Sequence, residues 1–430
     1  MATHKAVIIT GVRTPFLDSG GAYSPLMTYQ LGGRAIAGLV EKTGIQPSEV
    51  GMVTMGTVLH EVETSNVARE AMIDAGLPAT IPAFTTSMAG LSASVGFCNL
   101  VDMITLGRIE TGIAAGTESF SDIPLRLSQK IRRAAMKVRQ NSSAGNILKH
   151  LGSLRPKDLV PVMPTGADFT TGKVMGVCAE AMVKKFHVKR DDCDQFTVRS
   201  HALAVKAQQE GHFSDTLIPV HIPELNVTVT EDDTPRADCT LDRVQKMKPI
   251  FDKQEGAITA AGSSRFTDGA AALLVTSEAA AKRMGLSPKA VVVDYQLSAV
   301  KDLHNEMLLG PAVSIPTLLQ RNNLSMSDID VWELHEAFAA QILANLNCMQ
   351  HTEFAGEYYG GKVPGALPIE KLNTWGGSLS LGNPFAATGI RLLTTAANRL
   401  VAEGKRYAVV SSCAGGGLGA AILLENANLK

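Results

Sequence analysis

Lys5-Ala6-Val7-Ile8-Ile9, close to the amino terminus, is echoed by Lys289-Ala290-Val291-Val292-Val293 in the second half of the chain. Both are short apolar runs rich in β-branched residues, the pattern of a strand buried on both faces. The segments downstream of the two runs are also alike. Residues 87–93 form a small-residue turn into a helix that runs to Gly107 and then into Gly112-Ile113-Ala114-Ala115-Gly116. Residues 378–388 do the same for a helix that runs to Gly404 and then into Val409-Val410-Ser411-Ser412-Cys413-Ala414-Gly415-Gly416-Gly417. A repeat on this scale decides architecture, because each copy builds one α/β unit that buries its apolar face against its twin. Two similar α/β halves facing each other are expected, one in residues 1–119 plus 250–280 and the other in 281–430. Residues 120–249 then form an insertion, or loop domain.

Alternating periodicity between these landmarks supports the α/β class. Strands are expected at 6–10, 112–115, 271–276, 290–294 and 407–411, and helices at 27–42, 66–75, 92–106, 191–210, 315–322, 337–349 and 386–402. The 430 residues are 45% hydrophobic and 19% charged, against about 45–50% and about 25% in ordinary globular chains. Disorder, collagen-like repeats and low complexity are excluded as dominant features. With 40 Lys+Arg against 41 Asp+Glu the net charge is -1, which gives no global electrostatic reason to expect nucleic acid. Six cysteines (Cys98, Cys178, Cys193, Cys239, Cys348 and Cys413) include no CxxC pair, so neither a disulfide framework nor a zinc site is signalled and a reducing compartment is expected. The first fifteen residues lack the apolar core of a signal peptide, and no run reaches the about 18 apolar residues of a membrane span.

The insertion has its own texture. Between residues 125 and 157 lie Arg126, Lys130, Arg132, Arg133, Lys137, Arg139, Lys149, Arg155 and Lys157 and no acid. Ile131, Ala134, Ala135 and Val138 fall at helical spacing among them, so the segment reads either as a solvated insertion or as a face for anionic lipid, a partner or a CoA phosphate.

Four blocks resemble the signatures of the thiolases. They are Gly262-Ser263-Ser264-Arg265-Phe266-Thr267-Asp268-Gly269-Ala270, His335-Glu336-Ala337-Phe338, Trp375-Gly376-Gly377-Ser378-Leu379-Ser380-Leu381-Gly382-Asn383-Pro384 and Cys413-Ala414-Gly415-Gly416-Gly417. The likeness runs in order along the chain and is nearest to the thiolase (beta) subunit of fatty-acid β-oxidation multienzyme complexes. It implies the thiolase fold: two pseudo-repeated βαβαβαββ halves in a five-layered αβαβα core, with a loop insertion domain. It also implies a chemistry. An acyl group is held on a cysteine at a helix N-terminus, a histidine activates that thiol, a second cysteine moves a proton, and two oxyanion holes stabilise charge on the thioester oxygens.

The departures from this pattern fall on the reacting atoms. In Thr85-Thr86-Ser87-Met88-Ala89-Gly90-Leu91-Ser92-Ala93, Gly90 stands where the resemblance expects the nucleophilic cysteine, and Asn383 stands where it expects the activating histidine. Glycine cannot carry an acyl group and a neutral amide cannot serve as a general base. In a serine protease the loss of the nucleophile alone costs about 10⁶ in turnover. His335 matches a residue that helps to form one oxyanion hole. Cys413 matches the second, proton-moving cysteine, with the Gly415 amide as an oxyanion donor. Ser264 matches a serine that contacts the pantetheine arm of CoA, and Phe338 belongs to the same substrate-binding set. Arg265 stands where a small or apolar residue is usual, so it either meets a CoA phosphate or fills part of the acyl tunnel. Ser92 reads as an inherited structural hydroxyl. Cys98 lies about 12 Å along the same helix, too far to replace the nucleophile, while Ser87 and Cys178 remain open.

Three functions are compatible with these residues. The leading one is a remodelled acyl-CoA enzyme, a non-standard acyltransferase or related thioester chemistry run by His335 and Cys413. The second is a catalytically inactive acyl-CoA-binding or scaffolding homologue. The third is an acetyl-CoA C-acyltransferase (3-ketoacyl-CoA thiolase) with substituted catalytic residues. The resemblance implies no tightly bound cofactor, no metal, and coenzyme A as substrate or ligand. It also implies a homodimer or homotetramer, with a multienzyme partner subunit, while the basic segment 125–157 by itself suggests an anionic membrane surface as an alternative partner. Nucleic acid is not an expected partner, and the expected location is cytoplasmic or peripheral to a membrane.

Overall fold

The computed structural model describes residues 4–164 and 166–429. The first half runs β1 (Ala6–Arg13), the two-residue β2 (Leu17–Asp18), α1 (Thr28–Thr43), β3 (Met52–Gly56), α2 (Val67–Asp74), β4 (Ala83–Thr86), α3 (Ser92–Thr105) and β5 (Thr111–Glu118). The insertion holds α4 (Gln129–Gln140), α5 (Ala144–Leu151), α6 (Met175–Lys185), α7 (Arg190–Gln209), the hairpin β6 (Val220–Ile222) and β7 (Val227–Val229), and α8 (Leu241–Gln245). Then come β8 (Thr267–Ser277), α9 (Glu278–Arg283), β9 (Ala290–Ala299), α10 (Gly310–Arg321), β10 (Val331–Leu334), α11 (Ala339–Cys348) and α12 (Thr352–Tyr358). The chain finishes with α13 (Ser378–Leu381), α14 (Phe385–Ala402), β11 (Tyr407–Ala414) and β12 (Leu418–Asn426).

The long strands form one sheet in the order β10-β11-β12-β9-β1-β8-β5-β3-β4. Its seam is made by the two segments that open the sequence repeat. Val7 pairs with Val291 and Ile8 with Ala290, antiparallel, and the Ile8 carbonyl accepts the Lys289 N–H at 2.8 Å. Antiparallel pairing of like segments places the halves about a local two-fold. Helices α1 and α2 cover the outer face of the first half and α10 that of the second, while α3 and α14 pack together between the strands of both. Those are the five αβαβα layers, with the two halves joined edge to edge across the seam.

A helix buried on every side needs small or apolar residues all round. α14, with the sequence FAATGIRLLTTAANRLVA, has that composition and is buried along nearly its whole length. Gly389 lets α14 pack closely on α3, where a Cβ would displace the Ser94 hydroxyl. Two arginines are buried with it. Arg399 is paired to Glu333 and to Glu403, each at 2.8 Å. The other, Arg391, reaches Ser378 of α13.

The second half is not a full copy. Where the first half has β4 beside β3, the second has a single parallel bridge between Trp332 and Leu372. The neighbouring Asn373, at φ 46, continues the ladder with its side chain. Its Oδ1 accepts the Leu334 N–H at 2.8 Å and its Nδ2 donates to the Leu334 carbonyl at 2.9 Å, as the peptide group of a neighbouring strand would.

The insertion leaves the sheet after β5 and returns at β8, where Glu118 is in register with Gly269. Residues 250–266, expected in the first α/β half, therefore belong to this connection. Regular structure also exceeds the basic helical stretch and the helix at 191–210 that periodicity suggests for the insertion. Helices α6 and α7 reach across to α11 in the second half, and α7 also touches α13.

Gly56, at the end of β3, allows the close approach of α3. A Cβ there would lie 2.6 Å from the Ser92 carbonyl carbon and nearer still to the Ala93 nitrogen. Gly56→Ala should therefore push out the first turn of α3 and destabilise the protein by about 1–3 kcal/mol, the usual cost of overpacking a core. An unchanged urea midpoint would contradict this packing.

Candidate active site

Four chain ends meet at one end of the central layer. The first is the turn from β4 into α3. It is tied down by hydroxyls: Thr86 Oγ1 donates to the Ser92 carbonyl at 2.7 Å, the Met88 N–H donates to Ser92 Oγ at 2.9 Å, and Ser92 Oγ donates to the Ala89 carbonyl at 2.6 Å. Ser92 thus shapes the turn, and Ala89 takes a left-handed φ of 47 within it. At Gly90 a Cβ would meet nothing nearer than the Ala414 Cβ and the Cys413 carbonyl, each at 3.8 Å. The turn therefore faces the end of β11 and would accept a Cβ at residue 90.

The second end is β11 itself. Cys413 is buried, and burial pushes its thiol up to about 12, so it is protonated at neutral pH. Gly415 follows, before Gly416 and Gly417 at φ 84 and 73 turn the chain into β12. A Cβ on Gly415 would lie 3.6 Å from the sulfur of Met175, so the first residue of α6 brings the insertion over this turn.

The third end is β10, parallel to β11 with Leu334 opposite Ser411. His335 is the next residue, and its N–H donates to the Ser411 carbonyl at 2.9 Å. The residue is buried. Burial, then the nearby Arg391 cation, hold it down to about 3, so the ring is neutral. His335 Nδ1 lies 2.8 Å from Ser378 Oγ, and Arg391 Nη2 donates to the same oxygen at 2.8 Å. Glu336 is fully buried beneath and takes hydrogen bonds from Asn373 Nδ2 at 2.6 Å, Ser200 Oγ at 2.8 Å and the Leu379 N–H at 3.2 Å. It ties α7 of the insertion to the end of β10.

The fourth end is the start of α14. Asn383 sits between Gly382, at φ 85, and Pro384. Thr388 Oγ1 donates to Asn383 Oδ1 at 3.0 Å, Asn383 Nδ2 donates to Ser264 Oγ at 3.2 Å, and the Asn383 N–H donates to the Arg265 carbonyl at 3.0 Å. The Ser264 N–H in turn donates to the Ala337 carbonyl at 2.9 Å, and Ser263 bridges Phe338. Asn383, Ser264 and Phe338 are thereby linked into one cluster.

The structure thus brings Gly90 beside Cys413, sets His335 on the strand next to Cys413, and joins Asn383 to Ser264. No hydrogen bond links Cys413 to His335 among the described residues. The Arg265 guanidinium is ion-paired with Asp18 of β2, an acid far away in sequence. Cys98 is buried within α3, where burial raises its thiol strongly. Ser87 lies 3.3 Å from His60 Nε2. Among the described residues no group of three or more His, Cys, Asp and Glu could hold a metal ion. Sequence reasoning missed Ser378, Arg391, Glu336 and Met175. A cation inside the otherwise apolar pattern of α14 was the available signal for Arg391.

The fold and these converging ends define a thiolase. The model of the thiolase N-terminal domain matches residues 6–279 and that of the C-terminal domain matches 286–426, and the chain belongs to this family. Among its relatives, the mitochondrial trifunctional enzyme subunit beta of Homo sapiens is 43% identical over 98% of this chain and 88% of that protein. A probable 3-ketoacyl-CoA thiolase of Caenorhabditis elegans is 40% identical over 97% of this chain and 93% of its own length. The crystal structure of the Bacillus anthracis acetyl-CoA acetyltransferase superposes with a TM-score of 0.84 at 30% identity, covering 99% of both chains.

The buried imidazoles give the protein a pH signature. An unfolded chain protonates its histidines near pH 6.5, whereas the fold keeps His335 neutral down to about 3 and His201 down to about 4, both chiefly by burial. The unfolded state therefore binds more protons over this range, and stability falls as pH drops below about 6.5. His335→Gln should flatten that decline in urea midpoints measured from pH 7 to pH 4. A variant with the parental slope would remove His335 as a cause.

Proposed function

We propose that this protein binds acyl-CoA thioesters in its thiolase cleft and is framed as a 3-ketoacyl-CoA thiolase, with Gly90 and Asn383 at the positions of the acyl-accepting cysteine and its activating histidine. The observation that carries this reading is the fit at Gly90. A Cβ there would meet the Ala414 Cβ and the Cys413 carbonyl at 3.8 Å, ordinary van der Waals contact, so the frame accepts the first carbon of a side chain that the sequence does not supply. The names of the relatives, 3-ketoacyl-CoA thiolase among them, support the same ligand class. Without a sulfur at residue 90, ordinary acyl transfer through a covalent intermediate is lost.

The reading in which His335 and Cys413 run direct acyl transfer has less support. A thiolate is the nucleophile, and burial keeps the Cys413 thiol protonated. Cys413 is better suited to hand a proton to a carbon than to attack a carbonyl. Binding without turnover is the remaining form of the same proposal.

The test is restoration. Parent protein should bind acetoacetyl-CoA in calorimetry yet show thiolysis near background, whereas Gly90→Cys with Asn383→His should raise thiolysis by orders of magnitude, out of the about 10⁶ that loss of a nucleophile removes. Absence of binding, or a well-folded double variant as inert as the parent, would overturn the proposal.

We also propose that the basic part of the insertion rests on an anionic lipid surface. Leu148 is 75% exposed and Phe169 fully exposed. The bridge between Arg126 and Val162 sets the exposed Leu125 and Leu127 near the exposed Val162 and Met163. Among the described residues, only Lys130 and Arg155 of the nine cations are ion-paired, both to Asp158. Basic residues near such a surface contribute about 1 kcal/mol each. The protein should sediment with anionic phospholipid vesicles, not with neutral ones, and Arg133→Glu with Lys137→Glu should release it. Equal sedimentation with both vesicle types would overturn this.

A further inference from the structure

His335 is neutral and so carries one ring proton, and its neighbours determine which nitrogen holds it. Arg391 is always a donor, and its Nη2 is bonded to Ser378 Oγ at 2.8 Å. That oxygen has one hydrogen of its own. Ser378 is fully buried, and among the described residues its hydroxyl has no partner other than Arg391 and His335 Nδ1. If Nδ1 also donated, the hydroxyl hydrogen would be stranded in the core, a costly arrangement. The hydroxyl must therefore donate to Nδ1, and the imidazole proton must sit on Nε2, an atom with no protein partner among the described residues.

The placement of Arg391 argues that this relay is not incidental. Its side chain is among the largest fully buried ones in the molecule, and its Nε and Nη1 have no hydrogen-bond partner. Neither nearby carboxylate takes a hydrogen bond from it: Glu333 holds Arg399 through Oε1 and leaves Oε2 unpartnered, and Glu336 is held by Asn373 and Ser200. A buried cation that leaves two donors unpaired commits its single side-chain hydrogen bond to Ser378. The same charge disfavours a second proton on His335.

We propose that Ser378 and Arg391 are positioning residues that fix His335 as the Nε2–H tautomer, so that the cleft offers an imidazole N–H to a carbonyl oxygen and not a lone pair to a proton. The role of that donor rests on the thioester-binding reading above, whereas the tautomer itself does not.

The test reads the tautomer directly. Full-length protein labelled with 15N-histidine should show for His335, assigned by the signal lost in His335→Gln, a proton-bearing Nε2 and a bare Nδ1. Ser378→Ala should shift the ring toward the Nδ1–H form or a mixture of the two, and Ser378→Thr, which keeps the hydroxyl, should restore the parental signal. A proton on Nδ1 in the parent overturns the proposal even if the alanine variant fails to fold, and so does an alanine variant with unchanged ring signals. A parental Nε2–H signal in a protein that binds no acyl-CoA would sustain the relay and defeat only the functional reading.

Discussion

Two helices, α3 and α14, lie side by side with strands on both sides and almost no solvent, and that burial governs the rest of the molecule. A helix in such a place must be narrow where it meets its neighbours, hence Gly389 against Ser94 and Gly56 against the start of α3. It must also neutralise whatever charge it carries, as Arg399 does through Glu333 and Glu403. Neither helix can shift without colliding, so their first turns are fixed points, and unpaired backbone N–H groups at those turns are the natural place for groups that handle oxygen.

Residues 90 and 383 are positioned by this frame but do not build it. Gly90 contributes no side chain to the packing, and the Asn383 amide is satisfied by Thr388 and Ser264. The turn before α3 is held by Ser92, and the end of β10 by Asn373 and Glu336. The identity of residues 90 and 383 can therefore change while the cleft keeps its shape, which is why fold and activity are separate questions here.

The buried β1, the start of β9, where Ala290 and Val292 are buried, and the strongly periodic α1, α3, α7 and α14 were legible in the sequence to within a few residues. α10 begins at Gly310, earlier than the expected 315, with Pro311 in its first turn, where a missing N–H leaves no hydrogen bond unmade. β4 is four residues long, and its counterpart shrinks to one bridge at Leu372, too short to leave a pattern. The candidate site positions were read from motif blocks, whereas the partners that the structure gives them were not legible in the sequence. Ser378 is 43 residues from His335 and 13 from Arg391, and Asp18 meets Arg265 from the opposite side of the insertion. Such pairings come from tertiary convergence, which no local window contains.

The strand order has a consequence for biosynthesis. β8 lies between β1 and β5, yet the ribosome makes it only after the whole insertion has emerged. Until then the nascent first half has β1, β3, β4 and β5 but no strand to join β1 to the other three, and two open edges face each other across a gap. Unfilled edges invite pairing with other chains. The length of the insertion therefore sets how long the nascent chain must be shielded, whatever that segment later does for the finished protein.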